Sequence, residues 1–155
     1  MNTDLNQFYI KVKPLIGQCS WEVWLGSGSF ITLEFGKKIE AGKSPYTYTR
    51  GEWCLWVQMS AWRLETKSDI ITASEDTREG MSSGIKRLKG MTLCSIKLQP
   101  PSLETVLTFE DGFILRLFPI YSGALTFDDW TLFCTDGYVL SVGCGQWRYS
   151  PSNEP

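Results

Sequence analysis

The sequence predicts an α+β fold, mainly antiparallel β, with about eight strands curled into a strongly twisted sheet or partial barrel and one or two helices. Three observations carry that expectation. Aromatic residues make up 14% of the 155-residue chain, and aromatic and β-branched side chains suit a pleated surface. Most apolar runs alternate with a period of two, as half-buried strands do. Two Asp-Gly pairs, Asp111-Gly112 and Asp136-Gly137, sit between alternating apolar runs, the strongest short-range hairpin signal. A chain of this length fits one domain, expected over 1–150, with 151–155 as a disordered tail.

Leu5, Phe8, Val12 and Leu15 lie at helical spacing, with Thr3 or Asp4 as the cap and Pro14 and Gly17 near the end. From Gln18 the period changes to two. Cys19, Trp21, Val23 and Leu25 share one face and Ser20, Glu22 and Trp24 the other; Gly26 to Ser29 form a loop, and Ile31, Leu33 and Phe35 return as the second strand. A glycine-rich loop cradles phosphate when a helix starts at once, and here a strand follows instead. The polar run 36–51, with Lys37, Lys38, Lys43, Pro45 and Arg50, reads as a long loop.

Residues 52–65 read as one long strand, followed by a loop at 66–68 and a short apolar piece, Ile70 to Ala73. Ser74 and Asp76 are candidate caps for a helix over about 77–89. In it Met81, Ile85 and Leu88 face one way, the basic residues Lys86, Arg87 and Lys89 sit near the carbonyl end, and Gly90 stops it. Strands are expected at 92–98, 105–110, 113–119, 130–135 and 138–143. The two Asp-Gly hairpins echo each other: Leu107 matches Leu132, Asp111 matches Asp136, and Leu115 matches Leu140. Both an old duplication and the same hairpin physics met twice account for this, and either favours a meander.

The chain has no histidine. This removes the usual general base near neutral pH, every Ser-His or Cys-His arrangement and the commonest transition-metal ligand. No metal or cofactor is expected. The net charge of −2, from 15 basic and 17 acidic residues without a long run of one sign, leaves no footprint for duplex DNA or a membrane surface. The five cysteines are widely and irregularly spaced, a poor disulfide framework without a zinc pair. They read as small buried hydrophobes in a reducing cytoplasm. No apolar leader opens the chain and no apolar run approaches the ~20 residues that span a bilayer, so a cytoplasmic location is expected.

The candidate site lies in the run G-E-W-C-L-W-V-Q-M-S-A-W-R, residues 51–63. Side chains alternate across a strand. Read as one strand, the odd positions Trp53, Leu55, Val57, Met59 and Ala61 form a core face. The even positions Glu52, Cys54, Trp56, Gln58, Ser60 and Trp62, with Arg63 beside them, mix aromatic area with hydrogen-bonding groups. A pocket wall has that composition. So does a partner-binding patch, and so does a second face covered by a helix or a dimer mate. At ~3.3 Å per residue such a strand would span roughly 46 Å, so it either bends through a bulge or runs past its sheet to pair with another chain.

The runs L-I-G-Q-C-S-W, G-S-F-I-T-L-E-F-G, G-E-W-C-L-W, A-W-R-L-E and F-E-D-G-F-I-L-R-L-F-P resemble a family of small bacterial proteins, over roughly Leu15 to Gly143. A histidine often stands in that pattern at the position of Cys54, where this chain departs from it. The Asp128-Asp129-Trp130 strand start beside an Asp-Gly hairpin is similar to short β-rich immunity proteins encoded beside toxins. The resemblance implies a mainly β fold with a little helix and almost nothing about function. The functional expectation is a bacterial cytoplasmic interaction protein without catalysis, immunity-like, bound to a protein partner or to itself as a homodimer. A small-molecule-binding β-barrel is the alternative. A third reading is a hydrolase working through carboxylates drawn from Glu34, Glu52, Glu110, Asp111, Asp128 and Asp129.

Overall fold

A computed structural model describes residues 4–152. The first helix, α1 (Leu5–Val12), is capped by Asp4, whose carboxylate accepts from Asn6 N–H, and it tightens into a single 3-10 turn at Lys13–Leu15 where Pro14 lacks a donor. Thr3, the other candidate cap, lies outside the described residues. The strands follow as β1 (Ser20–Leu25), β2 (Ile31–Lys43), β3 (Tyr46–Val57), β4 (Ser60–Glu65) and β5 (Ile70–Ala73). After α2 (Arg78–Ile85) come β6 (Leu93–Gln99), β7 (Glu104–Phe109), β8 (Ile114–Pro119), β9 (Trp130–Phe133), β10 (Tyr138–Gly143) and β11 (Gln146–Pro151).

The described strands number eleven rather than about eight, and they form two sheets instead of one. The first runs β1-β2-β3-β9-β10-β11 and the second β5-β4-β8-β7-β6, each antiparallel throughout. Neither closes into a barrel. The inner faces of both sheets and the apolar sides of α1 and α2 contribute to a common cluster of buried residues. Phe8 of α1 sits edge-on to Trp130 of β9 and Trp147 of β11, and the hydroxyl of Tyr9 accepts from Leu98 N–H of β6. The first helix therefore ties both sheets together. The edge of β1 approaches β6 through a single bridge between Cys19 and Thr92.

The largest difference from the sequence expectation lies in residues 52–65. They are not one strand. The chain leaves the first sheet after Val57 and enters the second at Ser60. The carbonyl of Asp129 holds this crossing, accepting from Gln58 N–H at 3.1 Å and from Ser60 Oγ–H at 3.3 Å. Inward parity changes there: Trp53, Leu55 and Val57 are core on β3, but Ser60, Trp62 and Leu64 are core on β4. Met59 and Ala61 are only half-buried. Trp62 is 1% exposed and donates from its indole N–H to Ser29 O of the β1–β2 loop at 2.7 Å.

Residues 36–51 are not a loop. They are the outer part of the β2–β3 hairpin, which turns at Ser44–Pro45 and carries its pairing out to Lys43 and Tyr46. The lysine-rich composition hides the strand because both faces of this arm are mostly exposed, leaving no apolar alternation to read. The arm bends where the register shifts between Phe35 and Lys38. Gly36 sits there at φ 77°, and a Cβ on it would collide with the Glu52 side chain.

Other expectations shift by small amounts. Thr77 caps α2, accepting from Gly80 N–H, while Asp76 closes the preceding turn by accepting from Thr72 and Ala73. A bulge between Ser20 and Glu22 puts Ser20 in the core beside the register of Val23. The two Asp-Gly hairpins lie in different sheets and differ in backbone: Asp111 and Gly112 both have positive φ, whereas of Asp136 and Gly137 only the glycine does. The last strand has no counterpart in the sequence expectation. It is joined to β10 through Cys144 and Gly145, both at positive φ, and it extends to Pro151, where a disordered tail was expected to begin. Of the five cysteines, Cys54 and Cys134 are buried, Cys144 is half-buried, and Cys19 and Cys94 are exposed, so only two behave as the small core hydrophobes expected.

The crossing generates two predictions. Trp62→Ala removes a fully buried indole and strands the Ser29 carbonyl, so it should cost about 3–5 kcal/mol in denaturant unfolding, whereas Trp56→Ala should cost less than about 1.5 kcal/mol because that ring is 41% exposed. Equal losses would put both rings on one face. The second concerns Asp129, which is buried and whose Oδ2 has no hydrogen-bond partner. Burial, with the nearby charge of Asp128 adding to it, pushes its carboxyl from 3.8 up to about 6. The native state thus holds a proton that the unfolded chain has lost, and stability falls as pH rises through this window. Asp129→Asn should gain up to about 3 kcal/mol over the native sequence at pH 8, with the gain fading below pH 4. A gain that is the same at both pH values would rule this out.

Candidate functional site

The outer face of the first sheet is where the polar–aromatic residues gather. Register sets two rows across it. Trp24 of β1, Thr32 of β2, Trp56 of β3 and Thr131 of β9 are neighbours in one row. Glu34, Cys54 and Phe133 make the next. The bent β2–β3 arm then brings Tyr48, Thr49 and Arg50 over this second row. All of these residues but Thr131 line an open cavity of about 170 Å³. A second depression of about 220 Å³ lies on the other side of Trp56, lined by Gly26, Phe30, Ile31, Thr32, Val57 and Gln58. Trp56 and Thr32 are common to both.

The floor of the first cavity is Glu34. It is 3% exposed, and both of its oxygens accept hydrogen bonds: Oε2 from Gly51 N–H at 2.6 Å and Oε1 from the Cys54 thiol at 2.8 Å. A side chain at Gly51 would collide with the Phe35 backbone, so this glycine lets the arm fold down onto the carboxylate. Burial, then the hydrogen bond and charge of Glu34, push the Cys54 thiol far above its ordinary value. A thiol so held is not a nucleophile at neutral pH. The walls are aromatic: Trp56 and Phe133 meet with centroids 4.7 Å apart and ring planes at 65°, and Trp24 and Tyr48 are both more than half exposed.

The structure separates the sequence-predicted residues. Cys54 and Trp56 line the first cavity and Gln58 the second, with Gln58 Oε1 accepting from Thr131 at 3.4 Å. Glu52 sits at the arm's bend, accepting from Lys37 N–H. Ser60 and Trp62 belong to the core on β4, not to this face. Arg63 belongs to the second sheet, where it and Arg116 hold Glu65 between them and depress that carboxyl. Trp24, Thr32, Tyr48, Arg50 and Phe133 were not singled out from sequence. Trp24 had a signal, the polar parity of its strand, but only pairing places it one strand beyond Thr32 and Trp56.

Most of the carboxylates considered for hydrolysis lie apart, but Asp128 sits beside Asp129 and its charge adds to the raising of that carboxyl. Glu110 accepts from Thr92 N–H, Asp128 pairs with Arg148, Asp129 lies in the crossing, and Glu34 and Glu52 serve the arm. Among the described residues no group of three or more histidine, cysteine or carboxylate side chains is placed to hold a metal ion, and no helix is long and apolar enough to cross a membrane.

Comparison with family models, curated proteins and solved structures finds no match.

Thiol reactivity checks this geometry. Cys19 and Cys94 should react with a disulfide reagent first and Cys144 more slowly. Cys54 should react only on unfolding, as should Cys134, whose thiol burial pushes up to about 12. Rapid modification of Cys54 in the folded protein would show that the cavity floor is open.

Proposed function

We propose that this chain is a binding protein that recognises a protein partner through the outer face of its first sheet and performs no turnover. The observation that carries this reading is the unburied aromatic surface around Trp56. Trp24, Phe30, Tyr48 and Trp56 are each between 41% and 55% exposed, and they border two adjoining depressions. Large rings held on a rigid sheet beside concave apolar ground match the composition of interface hot spots. Tyr46 and Ile39 extend exposed apolar area along the arm, whose cations Lys37, Lys38, Lys43 and Arg50 outnumber Glu40 and Glu52. In this proposal the protein works in the bacterial cytoplasm in the manner of an immunity protein that covers its toxin.

The test is capture of a partner by the native chain and by the Trp24→Ala/Trp56→Ala double variant, with thermal unfolding as the control for fold. The partner should be identified by mass spectrometry and its affinity for the double variant should fall by at least about a hundredfold, as loss of two hot-spot rings implies. Equal affinity for both forms would show that the partner docks elsewhere.

A further inference from the structure

The cavity over Glu34 has features that a general docking patch does not need. Its floor is a buried carboxylate whose two partners, a backbone N–H and a thiol, are both neutral. Among the described residues no salt bridge reaches it. Arg50 lines the same cavity, half-buried and, among the described residues, joined to no carboxylate by a salt bridge. An acid and a guanidinium thus line one open space with no salt bridge between them.

The walls add a second requirement. Trp24 and Trp56 stand on either side of Thr32 in one row, which places their backbones ~10 Å apart, two inter-strand spacings. The small threonine between them leaves room above the sheet. Phe133 meets Trp56 at 65°, so their rings form a corner rather than a flat stack. Ring faces carry negative potential and attract cations, and a box of such faces suits an ammonium whose hydrogens are replaced by methyl groups. Such a group needs no hydrogen bonds from Glu34, whose oxygens already accept two.

We propose that this cavity binds a small methylated-ammonium zwitterion, its cationic head over Glu34 between Trp24, Trp56 and Phe133 and its carboxylate toward Arg50. The zwitterion supplies the countercharge that each of the two unpaired groups lacks. The proposal rests on the outer face being a recognition surface, and it names a ligand that this surface takes within the patch.

Calorimetric titration of the full chain with four probes tests it, read in parallel by intrinsic tryptophan fluorescence. Glycine betaine carries both charges and the methyl groups, choline lacks the carboxylate, glycine lacks the methyl groups, and propionate has only the anion. Betaine should bind at least about tenfold more tightly than choline or glycine, and propionate should not bind, since both the cation–π attraction and the charge-assisted contact are needed. Arg50→Gln should reduce betaine to the affinity of choline. Glu34→Gln keeps an acceptor for Gly51 N–H and should still lose at least about tenfold; Trp24→Leu, at a site 54% exposed, gives the same loss without touching the arm's anchor. Absence of betaine binding at millimolar concentration overturns the proposal, as does betaine binding unchanged in Glu34→Gln and Trp24→Leu. If betaine fails while partner capture still depends on Trp24 and Trp56, the cavity assignment falls and the docking face stands. If betaine binds while capture ignores those rings, the docking face falls instead.

Discussion

The backbone carbonyl of Asp129 accepts from Gln58 N–H and Ser60 Oγ–H, and this pair of bonds marks where the chain passes from one sheet to the other. Everything that distinguishes the two faces depends on it. Two residues of irregular backbone rotate the inward parity, so that Trp56 faces outward and Trp62 inward although both stand at even positions. Asp129 also donates its own N–H to Val142 O of β10. The crossing is therefore bonded to β10 of the first sheet and cannot slide without disturbing β9 and β10.

Indole N–H groups hold the halves together around that point. Trp62 of β4 donates to the β1–β2 loop, Trp130 of β9 to Thr105 Oγ1 of β7, and Trp147 of β11 to the start of α1 at Asp4 O. All three rings are buried. Each supplies a large apolar area and satisfies its one polar atom across an element boundary, as buried tryptophans usually do. Trp24 and Trp56 meet neither condition. They stay on the surface at the border of a cavity whose floor is a buried acid, and that contrast separates surface rings from core rings that look alike in sequence.

Much of the architecture was legible because it is local. The helix over Leu5 to Leu15, the hairpin around Gly26 to Ser29, the helical segment that stops short of Gly90 and both Asp-Gly hairpins follow from spacing, capping and turn chemistry within short windows. The β2–β3 arm was not, because a two-stranded ribbon with both faces in water has no apolar period. The last strand was not, because its turn places Cys144 at positive φ, a conformation that its sequence does not announce. Of the candidate residues, Cys54 and Trp56 on β3 and Gln58 just past its end border the two cavities; Ser60, Trp62 and Arg63 were included only because parity was carried through the crossing.

By itself, the sequence determined that the chain would be mainly antiparallel β, that chemistry resting on histidine was unavailable, and that an aromatic strand near Trp53 would have one core face. Only the tertiary structure decided how many sheets there are, which tryptophans are buried, and which residues share the cavity. The physical reason is that strand propensity and turn geometry act between near neighbours, whereas the crossing and the cavity depend on bonds between distant segments. Gln58 meets Asp129, Gly51 meets Glu34, and Trp24 reaches Trp56 only through the register of an intervening strand.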